Sequence, residues 1–153
     1  MGLEQAKEWL KKYELEDRIT LLSESSATVE LAAEAVGVQQ DMIAKTLSFM
    51  VKDGPILILA SGLSKVDNRK FKDTFHTKAK MISYDQVEEV IGHAPGGVCP
   101  FGVKDGVKVY LDESLKKHEV VYPAAGTGNS AVRLTIPELE KCSGYLEWVD
   151  VCK

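Results

Sequence analysis

The sequence predicts an α+β fold, one compact domain with a central mixed β-sheet flanked by helices. Three observations carry this expectation. Helical and strand-like stretches are interleaved, yet several strands follow one another through short turns, which favours a mixed sheet over a doubly wound parallel one. Ile56-Leu-Ile-Leu-Ala60 is apolar at every position, as a central strand covered on both faces requires. The chain has 153 residues, 44% of them hydrophobic and 27% charged, ordinary values for a single unit that buries its own core. With no repeats, low-complexity tracts or evident linkers, the domain is expected to run over residues 1–153.

The elements follow in order. Leu3, Ala6, Trp9, Leu10 and Tyr13 recur at helical spacing, predicting a helix over 3–15. Arg18 to Leu22 reads as a short strand. Thr28 to Val36 reads as a helix capped by Ser26 and stopped by Gly37, and Asp41 to Ala44 makes one turn. Thr46 to Val51 and Ile56 to Ala60 form a hairpin around Lys52-Asp-Gly-Pro55. Asp67 caps a basic helix to Phe75, Ala79 to Ile82 is a brief strand, and Ser83 caps a helix from Tyr84 to Ile91. Val107 to Leu111 is a strand, followed by a helical turn that Asp112 caps and that ends near His118. Glu119 to Ala124 and Ala131 to Ile136 are strands around Gly126-Thr-Gly-Asn129. Thr135-Ile-Pro-Glu138 has the form of a capping box with proline in the first turn, opening a helix to Cys142. Tyr145 to Val151 closes the chain as a strand.

Charge and cysteine content restrict the function. Net charge is −4, against broad nucleic-acid binding, but residues 65–80 carry 6 basic and 2 acidic side chains on an otherwise acidic body. A compact patch of that kind is either a solvated helix face or a contact for a few phosphates. The three cysteines show no C-x-x-C pair and no histidine at metal-ligand spacing, so a reducing compartment is expected and no metal site. MGLEQAKEWLKK is an amphipathic helix without the apolar core of a signal peptide, and no apolar run reaches the roughly 18 residues of a membrane span. A cytoplasmic protein with no membrane partner is expected.

The chemistry concentrates in Gly92-His-Ala-Pro-Gly-Gly-Val-Cys-Pro-Phe-Gly102, where eleven residues hold four glycines and two prolines. Such a loop is stiff and presents amides outward, suited to an anion or a polarised carbonyl, or else it simply turns a corner. Lys45 stands where an apolar run becomes a strand; it either snorkels to solvent or projects into a cleft as a partner for phosphate or a polarised oxygen. Cys99 has His93 nearby in sequence, which leaves a thiol–imidazole dyad or an inert packed thiol.

Three pieces in this order resemble the YbaK/EbsC family, free-standing relatives of the editing domain of prolyl-tRNA synthetases. They are Ile43-Ala-Lys-Thr-Leu47, Gly96-Gly-Val-Cys-Pro100 with Phe101-Gly102, and Ala124-Ala-Gly-Thr-Gly-Asn-Ser-Ala-Val-Arg-Leu134. The resemblance covers residues 28–145, with Thr127 and Asn129 where the third piece often carries basic residues. It implies a curved sheet and a trans-editing aminoacyl-tRNA deacylase that needs no cofactor. The substrate would be the acceptor end of a mischarged tRNA, that for proline or a similar one, carrying a small wrong amino acid. It leaves room for a transient complex with an aminoacyl-tRNA synthetase, and a monomer is expected. Lys45, Gly96, Gly97, Val98, Cys99 and Pro100 would form the catalytic set, with Gly97 expected at φ > 0. Thr46, His93, Phe101, Gly102, Gly126, Gly128 and Asn129 would bind the substrate, and Lys65, Arg69, Lys70 and Lys72 the tRNA. Two alternatives stand beside this reading: a non-catalytic module binding tRNA ends or nucleotides, and a thiol hydrolase using Cys99.

Overall fold

The computed structural model describes residues 2–153. Its centre is a four-stranded mixed sheet in the order β2-β3-β4-β8: β2 (Ala44–Val51), β3 (Gly54–Ser61), β4 (Lys108–Asp112) and β8 (Tyr145–Val149). β2 and β3 are antiparallel, whereas β3–β4 and β4–β8 are parallel. The hairpin turn is tighter than expected, since Gly54 and Pro55 already belong to β3 and only Lys52 and Asp53 lie between the strands.

The apolar run in β3 is the reason the sheet is central. Residues 56–60 are all at most 1% exposed. Leu57 and Leu59 face one core with Val109 and Leu111 of β4, Ala6 and Leu10 of α1 (Gly2–Lys11), and Leu139 and Cys142 of α5 (Ile136–Cys142). Ile56, Ile58 and Ala60 face the other, with Phe49 of β2 and Phe71 of α3 (Asn68–Phe75). The parallel pairs β3–β4 and β4–β8 require long crossovers, and these carry the two glycine turns. The β3-to-β4 crossover holds α3, α4 (Val87–Ile91) and the 92–102 loop. The β4-to-β8 crossover holds β5 (Val120–Val121), β6 (Ser130–Val132), β7 (Leu134–Thr135) and α5.

Several local expectations are corrected. α1 ends at Lys11, because the chain turns through Glu14 at φ 60° and Leu15 N–H returns to Leu10 O. β1 covers only Ile19–Leu21 and pairs with β6. The cap of α2 (Val29–Val36) is Thr28, whose hydroxyl accepts from Leu31 N–H; Ser26 instead donates to Ser130 O at 3.2 Å. α4 starts at Val87 after Gln86, without a side-chain cap from Ser83. Residues 79–82 form no strand but one bridge, Phe49 to Met81. The two strands expected around 126–129 are broken into β5, β6 and β7, because β6 pairs with β1 and β7 with β5. Among the described residues no helix is long and apolar enough to cross a membrane.

The capping box of α5 is complete: Thr135 Oγ1 accepts from Glu138 N–H, and Glu138 Oε1 accepts from Thr135 N–H at 2.9 Å. The same carboxylate pairs with Arg18 at 2.8 Å, tying α5 to the turn before β1. Burial alone would raise the Glu138 carboxyl, but the bonds from Thr135 and Arg18 outweigh it and hold it below its ordinary range. A carboxyl depressed in the folded state stabilises above its unfolded value and loses that contribution as pH falls. Glu138→Gln should therefore cost about 1 kcal/mol in urea unfolding at pH 7. The difference should shrink as pH falls and the wild-type carboxyl takes up its proton.

Candidate active site

The start of β2, the N-terminus of α2, the 92–102 loop and the segment 122–131 converge on one cavity of about 170 Å³. The size is small beside the roughly 300–1,000 Å³ of pockets for drug-sized ligands, so it admits a small group. Its wall is mostly short apolar side chains, among them Ala27, Val29, Ala32, Ile43, Ala44, Ala124 and Ala131. Of the residues singled out in the sequence, Lys45, Thr46, Gly96 and Val98 line it.

β2 supplies the polar floor. It is an edge strand whose outward bonds go from Ala44 N–H to Tyr122 O, from Met50 N–H to Lys80 O, and from Ile82 N–H to Ser48 O. Thr46 lies in the gap between these bonds. By the alternation of an antiparallel strand, its N–H and C=O both face outward. Its Oγ1 is buried with no hydrogen-bond partner among the described residues. An unpaired buried hydroxyl is costly and normally finds a partner, which here can be a water or a ligand group.

Lys45 borders both this cavity and a second depression of about 260 Å³ that Gln40, Gly62, Leu63 and Lys65 help to line. Its Nζ donates to Gly62 O at 3.2 Å and to Ser64 O. An ammonium has three donors, so one remains for a ligand. Burial holds the Lys45 ammonium below its ordinary value, with Asp41 opposing the shift.

The loop supplies amides. Gly97 N–H is spent on Ala94 O at 3.0 Å, whereas the Gly96 and Val98 amides have no acceptor among the described residues. The positive φ expected at Gly97 falls instead on Gly96, at 88°. Gly97 is required for close approach: a Cβ there would overlap the Gly126 carbonyl carbon and Thr127 N, and lie 2.6 Å from Gly126 O. The other glycine turn is thus the backing of the loop. Gly126 is buried, Gly128 stands behind Ala27, and Asn129 is exposed, donating to Leu22 O at 3.4 Å; none of the three lines the cavity.

His93, Cys99, Pro100 and Phe101 lie beneath the loop, buried. His93 Nε2 donates to Phe101 O at 2.7 Å, so that nitrogen carries the proton and is no base for Cys99 Sγ at 3.5 Å. Burial holds the imidazole below its ordinary value and pushes the Cys99 thiol up to about 12. The thiol is protonated and enclosed, a poor nucleophile. Gly102, at φ 75°, packs on Gln5 of α1.

Of the basic residues, Lys65, Arg69 and Lys72 are exposed. Lys65 lines the second depression, and its backbone pairs with that of Lys153. Lys70 is engaged differently, donating to Asp150 at 3.1 Å and to Cys152 O at 3.0 Å, which pins the C-terminal segment. Asp41, expected from the sequence only to open a turn, is the most connected carboxylate near the cavity: it accepts from Ser61, Lys117 and His118.

A model of the aminoacyl-tRNA editing domain matches residues 23–142. The chain belongs to the aminoacyl-tRNA editing domain family. It is 47% identical to the uncharacterised Bacillus subtilis protein YwhH, covering all of this chain and 98% of that one. It is 28% identical to Enterococcus faecalis EbsC, a proposed Cys-tRNA(Pro)/Cys-tRNA(Cys) deacylase, over 86% of this chain and 79% of that one. A solved structure described as a proposed trans-editing enzyme for prolyl-tRNA synthetase superposes with a TM-score of 0.88 at 29% identity, covering 99% and 97% of the two chains. The single editing-type domain with a mixed sheet and flanking helices is therefore as the sequence predicted.

The contact between the two glycine turns generates a stability prediction. Gly97→Ala forces two backbones apart and should cost about 1–3 kcal/mol, a melting temperature several degrees lower by calorimetry. Gly128→Ala, whose methyl would meet only Ala27 Cβ at 3.8 Å, should melt close to wild type.

Proposed function

We propose that this chain hydrolyses, in trans, the ester linking a small wrong amino acid to the terminal adenosine of a tRNA. The observation that carries the proposal is the position of Lys45, a half-buried ammonium on the ridge between a small apolar cavity and a wider depression with Lys65 on its rim. The cavity suits an aminoacyl side chain, and the depression suits the nucleotide to which it is esterified. Family membership supports the reaction class.

The chemistry assigns each group a task. The aminoacyl side chain fills the cavity beneath Val29, Ala32 and Ile43, while Thr46 O and Oγ1 receive its polar hydrogens. The ester carbonyl oxygen meets the Gly96 and Val98 amides, donors fixed before the reaction begins. Water oxygen adds to the carbonyl carbon and the oxyanion forms at those amides. The C–O bond to the ribose then breaks as a proton of the attacking water passes to the ribose oxygen, leaving the free amino acid and the free hydroxyl. The vicinal ribose hydroxyl orients the water, so no protein nucleophile is needed. Lys45 holds the terminal nucleotide through its third N–H. Exclusion of large side chains follows from size, the selectivity that a synthetase pocket lacks toward smaller or isosteric amino acids.

Lys65, Arg69 and Lys72, with Lys153 beside Lys65, provide a short basic track for the acceptor end, whereas Lys70 serves the C-terminal segment. A few phosphate contacts give weak, salt-sensitive binding. The setting is the cytoplasm, beside the synthetase whose errors are corrected.

The test is a panel of tRNAs mischarged with cysteine, alanine, serine and threonine, assayed for amino-acid release. Wild type should deacylate at least one, and Lys45→Ala should lose about a hundredfold or more while remaining folded. Near wild-type release by folded Lys45→Ala contradicts the assignment, and stable binding of a mischarged tRNA without release identifies a binding module. In the same assay, Lys65→Glu with Arg69→Glu should raise KM more than it lowers kcat.

A further inference from the structure

We propose that Asp41 is a positioning residue for the site: its carboxylate braces the Gly62–Ser64 turn, whose carbonyls aim the Lys45 ammonium at the ridge. The inference rests on Lys45 acting on the substrate, and it adds the group that fixes where Lys45 points.

The bracing is built from several bonds on one carboxylate. Asp41 Oδ1 accepts from Ser61 Oγ at 2.8 Å and from Leu63 N–H at 3.4 Å, one contact on each side of Gly62. Ser61 Oγ in turn meets Ser64 Oγ at 2.9 Å, so the two serines that flank the turn share the carboxylate through one hydroxyl. Asp41 Oδ2 accepts from Lys117 Nζ at 2.9 Å and His118 Nε2 at 3.0 Å, which anchor it to the 3₁₀ turn after β4. The side chain is only 18% exposed, so these bonds are shielded from water. Desolvation acts to raise the carboxyl, yet Lys117, Ser61 and His118 together hold it far below the ordinary range.

Gly62 closes the geometry from the other side. A Cβ there would overlap Gln40 O and lie 2.7 Å from Val29 Cγ1, so the turn presses directly on the residue before Asp41. The turn is therefore held between backbone contact and carboxylate, and its Gly62 and Ser64 carbonyls stay pointed at Lys45 Nζ.

Asp41 also supplies charge. The groups facing Lys45 are Asp41 ahead of β2, Lys65 beyond the turn, and Cys152 from the C-terminal segment. Burial pushes the Cys152 thiol up to about 12, so it is neutral when Lys45 loses its proton. Lys65 repels the ammonium. Asp41 is thus the one negative charge among these groups that opposes burial.

The test uses the full chain with Asp41→Asn, which keeps the side-chain shape and removes the charge. The Lys45 ε-methylene resonance, assigned with Lys45→Met, is followed by NMR against pH. The titration should move to lower pH in Asp41→Asn than in wild type. Single-turnover deacylation, corrected for enzyme-free ester hydrolysis, should fall on the order of tenfold at neutral pH, with its alkaline limb displaced in the same direction. An unchanged Lys45 titration, with turnover reduced equally at every pH, assigns Asp41 a merely structural role and overturns the proposal. Should wild type deacylate no tRNA, the functional reading fails, and the NMR titration still decides the bracing. Should Asp41→Asn not fold, Ser61→Ala replaces it, leaving the carboxylate and breaking the hydroxyl link. Faster hydrogen exchange at Leu63 N–H than in wild type is then the expected result, and unchanged exchange overturns the proposal.

Discussion

Backbone contact between two glycine turns sets the shape of the site. Gly97 approaches Gly126 and Thr127 so closely that no side chain fits between them. That contact holds the 92–102 loop against the segment crossing β2, and the cavity is the space left on the near side. A rigid frame matters because amides that are to stabilise a developing charge must point before the charge appears. The central sheet serves the same end. The parallel pairs β3–β4 and β4–β8 require long crossovers, and the crossovers bring both glycine turns to the edge strand.

Chemically, the site sets one half-buried ammonium beside unpaired backbone donors and a buried hydroxyl. The buried hydroxyl is expensive to leave unsatisfied and becomes favourable when a ligand completes it. The thiol within the loop, Cys99, lies underneath with its histidine already committed to Phe101 O. Reactivity is therefore expected from the substrate's own hydroxyl and a water, with the protein acting through placement and electrostatics.

Much of the frame was legible in the sequence because it depends on neighbours along the chain. The Asp67 cap, the Thr135–Glu138 box and the stop at Gly37 each require contacts within a few residues, and the uniform apolarity of residues 56–60 marks a doubly covered strand whatever covers it. What escaped depends on distant partners. Ser26 and Thr28 are both plausible caps, and the choice is made by Ser130, 104 residues away. Lys70 looks like its basic neighbours until Asp150, 80 residues on, claims it. Asp41 carries no local motif, and its bond to His118 spans 77 residues. Proximity misled at Cys99 and His93, where six residues of separation suggest a dyad and the proton position on the imidazole denies it.

The central claim is that the cavity between Val98 and Thr46 receives the aminoacyl group while the nucleotide lies across the Lys45 ridge. The most direct measurement is a crystal structure with a non-hydrolysable analogue, a small amino acid joined by an amide to the 3′ position of adenosine. The aminoacyl side chain should occupy the cavity, its carbonyl oxygen within hydrogen-bond distance of the Gly96 or Val98 amide, and the adenosine should lie in the depression lined by Lys65. An analogue bound in that depression with its aminoacyl group turned to solvent, or bound at another surface altogether, would contradict the account.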